Sequence, residues 1–232
     1  MRIRRIFLLS LTVFLHLTMQ AQGGIPRVSP TATYIDDDGK EAVSSTNVDG
    51  QAPLDVTFHA NPSDIEDIVP VFEWHFKKLE EESELMVRYE EDTQYTFTDS
   101  GTTLVTLIMK QANDGEVLDS ATISVTVSES KLSFPNAFSP NNGDDKNNTF
   151  KPKEYQSIVE FHAYIFNRWG QKLYEWTDPS EDGWDGTYNG KDVKDGVYFL
   201  LCRAKGADGR KYNIRKDVNL LRGYTESNTL NE

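Results

Sequence analysis

The 232-residue chain has a single cysteine, Cys202, so no disulfide can form within it. Set among Tyr198, Phe199, Leu200 and Leu201, that thiol reads as a small buried apolar residue, not a nucleophile. Histidine is also scarce: His16, His59, His75 and His162 are scattered, with none of the spacings that zinc sites use. There is no Gly-x-Ser-x-Gly elbow, no phosphate loop and no dinucleotide fingerprint. Carboxylates are plentiful, but no pattern places two of them across a cleft, as glycoside hydrolysis requires. The expectation is a protein that is not an enzyme.

Positive charge is short as well, with 24 Lys and Arg against 37 Asp and Glu and a net charge of −13. Such a chain repels phosphate backbones and anionic lipid, which excludes nucleic acid and membrane surfaces as expected partners. Its one long apolar run is at the start. Arg2, Arg4 and Arg5 precede Ile6-Phe-Leu-Leu-Ser-Leu-Thr-Val-Phe-Leu-His-Leu-Thr-Met19, and the small residue Ala21 then meets polar Gln22. That order marks a cleavable secretory signal peptide over 1–21, cut at Ala21. An uncleaved anchor is the alternative, but the run is shorter than the roughly 20 residues that span a bilayer. Cleavage leaves 21 basic residues against 37 acidic ones, and no transmembrane segment in the mature chain.

Helical apolar spacing is missing throughout, whereas period-2 alternation and turn dipeptides recur. The fold class expected is all-β: two small antiparallel β-sandwiches after the signal peptide. The first is expected over 25–128, followed by a polar hinge over 129–133, the second sandwich over 134–223 and a flexible tail over 224–232. In the first, Leu54, Val56 and Phe58 alternate with polar residues. Phe72, Trp74 and Phe76 share one strand face, expected to be the core face, opposite Val71, Glu73 and His75. Thr102–Met109 reads as a central strand, apolar on both faces. Asn113-Asp-Gly115 supplies a turn into the strand that carries Ile123, Val125 and Val127. The landmarks Gly50–Phe58, Phe72-Glu-Trp74, Tyr95-Thr-Phe97 with Ser100-Gly101, and Ile123–Val127 resemble the PKD family of Ig-like domains over most of 45–128. The family's Gly-Asp-Gly turn after the tryptophan strand is replaced here by Lys77-Lys-Leu-Glu-Glu-Glu82, so only the fold is implied.

The last third carries spaced blocks in a fixed order: Phe134-Pro-Asn-Ala-Phe-Ser-Pro140, Asn167-Arg168-Trp169-Gly170, Trp184-Asp185-Gly186-Thr-Tyr-Asn189-Gly190, Asp195-Gly196-Val-Tyr198, and Leu220-Leu-Arg222. This pattern resembles the gliding-motility-associated, "type B" C-terminal domain that routes proteins through the type IX (Por) secretion system. The resemblance implies a second sandwich that acts as an address. Its partners would be the translocon, shuttle and outer-membrane attachment proteins of that system, with a regulatory partner as a further option. Location would be the outer-membrane surface or the extracellular space, with a periplasmic stage in transit. Either the system's sortase would remove this domain, with the cut in the Ser128–Lys131 region, or the domain would be retained. Trp169, Trp176 and Trp184 are expected to supply apolar core area to a small domain.

Pro140-Asn-Asn-Gly-Asp-Asp-Lys-Asn-Asn-Thr-Phe150 departs from the family pattern by an extra residue. Asn141, Asp144, Asp145 and Asn147 offer oxygens for a weak calcium site, or else form an Asx-rich turn held by its own hydrogen bonds. No other cofactor is implied. Asp36-Asp-Asp38 lacks EF-hand spacing and reads as a solvated turn, and Glu80–Glu82, Glu84 and Glu90–Asp92 read as a solvated acidic region.

One small sandwich is a modest passenger for so large an address. In its proportions the whole resembles PorA-like proteins, which implies an accessory or signalling component of the machinery that docks protein partners. The alternative is a carbohydrate-binding or adhesin cargo of the same system, with Tyr34, Tyr89 and Tyr95 as its candidate aromatic platform.

Overall fold

A computed structural model describes residues 24–66, 68–143 and 146–223. The expected signal peptide with its Ala21 cleavage point and the tail over 224–232 lie outside the described residues, as do Asp144 and Asp145. All regular structure among the described residues is β, in two sandwich units with separate hydrophobic cores.

The first unit packs two sheets. One has the order Asn47–Gly50, Val117–Val127, Gly101–Gln111, Pro70–Lys78, Met86–Arg88; the other has Glu41–Ser44, Thr31–Ile35, Leu54–His59, Thr93–Phe97. Pairing is antiparallel except where Asn47–Gly50 runs parallel to Val117–Val127. Alternation decides which side chains go inside. Leu54, Val56 and Phe58 face Phe72, Trp74 and Phe76 across the layers, and Phe58 lies 5.6 Å from the Trp74 ring and 5.8 Å from that of Phe76. Each such fully buried ring stabilises the fold by about 2–3 kcal/mol relative to exposure. The indole N–H of Trp74 donates to the carbonyls of Glu90 and Glu91, which pins the acidic segment over the core. Asp92 in that segment caps the Ala60 amide and meets His59 at 2.8 Å, so it has a structural task beyond solvation. The Gly101–Gln111 strand is central, as expected, but only one of its faces is fully buried, with Val105, Leu107 and Met109 inside. Its other face is half-buried and tied to the next strand by hydroxyl pairs such as Thr106–Thr122.

The second unit has one five-stranded sheet, ordered Ala137–Phe138, Lys211–Leu220, Gly196–Gly206, Ile158–Phe166, Lys172–Trp176. Its covering layer consists of short ribbons, Lys131–Ser133 with Glu154–Gln156 and Thr187–Tyr188 with Lys191–Asp192, plus the Phe150–Trp184 bridge. Between the layers lie Phe134, Phe138, Phe150, Trp176 and Trp184 against Phe161, Ile165, Leu200 and Cys202. Burial pushes the Cys202 thiol up to about 12, consistent with an apolar filler. Lys216 takes an inward-row position beside these groups and donates to the Phe134 carbonyl at 2.6 Å.

The Ser128–Lys131 stretch, read from its polarity as a hinge, is instead fastened down. Ser130 is 1% exposed; its hydroxyl donates to Asp208 at 2.7 Å and lies 2.9 Å from the Tyr212 hydroxyl, which also bonds the Ser130 carbonyl. Ser128 and Ser157 pair through their hydroxyls at 2.8 Å, and Ser157 Oγ accepts the Ala52 amide from the first unit. The Ser157 carbonyl accepts the Ala207 amide, while the Ala207 carbonyl accepts that of Ser100. The methyl of Ala207 sits in the first unit's core, with Val159 packed beside it. A Cβ on Gly206 would fall 2.0 Å from Ser130 Oγ, so only glycine lets these strands approach this closely. Seryl side chains read as solvated in one dimension are buried here because the second unit closes over them.

Candidate functional site

The C-terminal motif blocks, far apart in sequence, meet in one place. Arg222, after the Lys211–Leu220 strand, reaches back across the covering layer. Its guanidinium donates to the carbonyls of Gly186 and Val193 and to Asp195 Oδ1, at 2.8, 2.5 and 3.0 Å, and approaches Asp192 at 3.4 Å. The Arg222 amide donates to the other Asp195 oxygen. A planar fork with several donors can tie two backbone carbonyls and a carboxylate at once, which a lysine cannot do. Gly186, at φ 81°, lies under this clamp: a Cβ there would come 2.9 Å from Leu220 and 3.2 Å from the guanidinium.

The remaining motif residues sort by task. Trp184 is fully buried between Phe138 and Tyr198, at 5.3 and 4.9 Å, and its N–H donates to the Thr187 carbonyl. The Tyr198 hydroxyl donates to the Lys194 carbonyl. Burial, opposed by the nearby Arg222 charge, raises the pKa of that phenol. Asp185 accepts the Thr187 amide, and Asn189-Gly190, both at positive φ, make the two-residue turn between Thr187–Tyr188 and Lys191–Asp192. Asn167 forms the Asn-Arg-Trp-Gly turn: its Oδ1 accepts the amides of Trp169 and Gln171. Trp169 corrects the expectation that all three tryptophans fill the core. Trp176 and Trp184 do so, whereas Trp169 stands 75% exposed at the hairpin tip with the Arg168 guanidinium 4.3 Å from its ring centroid. The motif alone did not distinguish the exposed ring from the buried ones: Trp176 ends a strand and Trp184 sits in a bridge to Phe150, whereas Trp169 lies in the turn itself.

Of the candidate calcium residues, Asn141 and Asn147 are described, whereas Asp144 and Asp145 lie outside the described residues. Asn141 and Asn147 adopt positive φ, which asparagine tolerates in turns, and the Asn147 backbone carbonyl accepts the Ser139 amide. Among the described residues, no group of three or more His, Cys, Asp and Glu converges as a metal would require. Asp36 likewise satisfies its own turn by accepting the amides of Asp38 and Lys40. The tyrosine platform is not assembled either. Tyr34 and Tyr95 pack against the first core, Tyr95 lying 4.7 Å from Phe97, while Tyr89 alone is widely exposed.

Charge divides sharply between the units. Residues 25–128 hold 21 acidic and 6 basic side chains, and residues 129–223 hold 14 and 15. Within the first, Lys110 and then His75 hold the Glu73 carboxyl below its ordinary range, against opposing burial. Within the second, Lys172 and His162 do the same for Glu175. Asp208 at the junction is also held low: burial would raise it, but the Ser130 hydroxyl, the Arg210 and Ser130 amides and the Arg210 charge outweigh that.

Residues 132–216 match the family described as "CHU_C Type IX secretion signal domain". The span covers the motif cluster except Leu220 and Arg222, which lie just beyond it. Comparison with curated proteins found no match. Among solved structures, the chain is similar to a tetra-tandem repeat from the extending region of a large adhesion protein (14% identity, 85% of this chain and 68% of that one, TM-score 0.27). It is also similar to the chicken CNTN1 FN1–FN3 domains (9% identity, 79% and 76%, TM-score 0.26). A third similar structure is the dimeric latent PorU of Porphyromonas gingivalis (12% identity, 86% and 20%, TM-score 0.26). No helix among the described residues is long and apolar enough to cross a membrane.

Proposed function

Taking the second unit as a type IX secretion signal domain, and the chain as cargo exported by that system to the cell surface or extracellular space, we propose a non-enzymatic accessory role. In this reading the protein docks partners belonging to, or regulating, the secretion machinery. The observation that carries it is the junction. The signal unit inserts Ala207 into the first unit's core and exchanges buried hydrogen bonds with it through Ser157 and Ala207. A removable address needs no such packing; a signal unit that shares a core with its passenger is suited to work as part of the finished surface. The acidic first unit, with 21 carboxylates against 6 basic residues, fits a cationic protein partner.

Deleting the gene in a type IX-competent strain, and measuring secretion of other cargo together with its regulation, tests the role. Impaired or misregulated secretion supports it, and unchanged secretion of every other cargo refutes it. Against the carbohydrate-binding alternative, Tyr34 and Tyr95 are partly buried against the first core, which leaves Tyr89 as the one widely exposed ring of the three.

A further inference from the structure

We infer that the Arg168-Trp169 hairpin tip is the point at which the signal unit is read: the indole inserts into an apolar, acid-rimmed pocket on an outer-membrane protein of the secretion machinery. This rests on the reading of residues 132–216 as a type IX signal. A lone exposed apolar side chain is ordinary on a protein surface. Three further observations set this one apart.

The tip is rigid. Asn167 Oδ1 binds the amides of Trp169 and Gln171, its Nδ2 donates to Gln171 Oε1 at 2.9 Å, and the Gly170 amide returns to the Asn167 carbonyl. Gly170 supplies the positive φ that closes the turn, and Gln171 is tethered to the Tyr188 hydroxyl of the neighbouring hairpin. A side chain presented on so fixed a backbone loses little conformational freedom on binding. The chemistry also fits. Tryptophan and arginine are the residue types that dominate binding hot spots, and the guanidinium already rests on the ring. Arg168 forms no ion pair among the described residues, so its charge is open to a partner carboxylate. It also covers one face of the indole, which suits insertion into a protein pocket better than flat stacking on a sugar.

The placement is the third observation. The Ile158–Phe166 strand begins next to Ser157 at the junction and ends at the tip, nine residues away. At about 3.3 Å per residue the tip stands roughly 30 Å from the junction. That is nearly four screening lengths of about 8 Å at physiological salt, so the acidic first unit does not repel an acid-rimmed reader there. Trp176 and Trp184 are committed to the core, and the Arg222 clamp is turned inward. This leaves Trp169 as the large aromatic of the motif blocks that faces outward.

The test places a photo-crosslinking amino acid at position 169 of the full chain in a type IX-competent strain, with position 89 as an exposed control on the other unit. Surface export of Trp169→Ala, Trp169→Phe and Arg168→Glu is measured alongside, with the full chain in a translocon-deficient sibling strain as reference. The proposal expects an adduct with an integral outer-membrane protein from 169 and not from 89. It expects Trp169→Ala to cut export about tenfold, the scale of a lost hot spot. Trp169→Phe should restore export in part and Arg168→Glu should weaken it, all at unchanged melting temperature. Normal export of Trp169→Ala beside blocked export of the full chain in the translocon-deficient sibling overturns the tip and leaves the signal reading standing. Normal export of the full chain without the translocon overturns the signal reading itself. Adducts only with glycan or lipid, or equal adducts from position 89, overturn the protein pocket.

Discussion

Replacing Arg222 by alanine should unlock the motif cluster. The side chain is one-fifth exposed and satisfies the Gly186 and Val193 carbonyls together with Asp195. Gly186 keeps a second donor in the Val193 amide, so the main losses are the Val193 carbonyl and the Asp195 contact. A hydrogen bond to a charged donor contributes about 1.5–3 kcal/mol, and a carbonyl left partnerless in a partly buried site costs about 1–3 kcal/mol. Because Asp195 can re-solvate, and the Arg222 Nε is itself buried without a partner, the expected destabilisation is near the low end, about 2 kcal/mol. Urea denaturation of the mature chain, followed by near-UV circular dichroism, reads this as a lowered midpoint at unchanged slope. Arg222→Lys should recover less than half, because one ammonium cannot span the two carbonyls and the carboxylate. A loss below about 0.5 kcal/mol for alanine, or full recovery by lysine, would refute the clamp.

Trp184→Ala should cost about 3–5 kcal/mol, since it opens a cavity between Phe138 and Tyr198; the same unfolding assay checks it. Cys202 should be silent to a thiol reagent at pH 8 in the native protein and should react fully in denaturant, as its raised pKa and full burial require. Asp208 is held below its ordinary pKa, so its stabilisation is complete above the unfolded carboxylate range and fades as pH falls through the lowered value. Asp208→Asn should therefore be less stable at neutral pH, and its midpoint should converge on that of the wild type as the pH drops below about 4. Trypsin should spare the bond after Lys131 in the folded protein and cut it in Asp208→Ala, where Ser130 loses its buried partner; equal cutting in both would mean that the linker is not held.

Short-range patterns were readable. Alternation placed Phe72, Trp74 and Phe76 inside, and the spaced blocks of the last third pointed to the signal family before any coordinates did. What escaped was long-range. Ser128 and Ser130 looked solvated because their covering groups, Ser157, Asp208 and Tyr212, lie 29 to 82 residues away. Arg222 looked like the end of a strand motif, and its partners come from loops 27 to 36 residues upstream. Trp169 looked like core because tryptophan usually is, yet a four-residue turn leaves its ring nowhere inward to go. Lys216 stands in a core-facing row because one carbonyl, Phe134, needs a donor there.

The most direct test is fractionation of a type IX-competent strain and its translocon-deficient sibling, each expressing the full chain. The account predicts the chain at the surface in the competent strain alone, and confined to the periplasm in the sibling. Surface display without the translocon, or periplasmic retention in the competent strain, would contradict it.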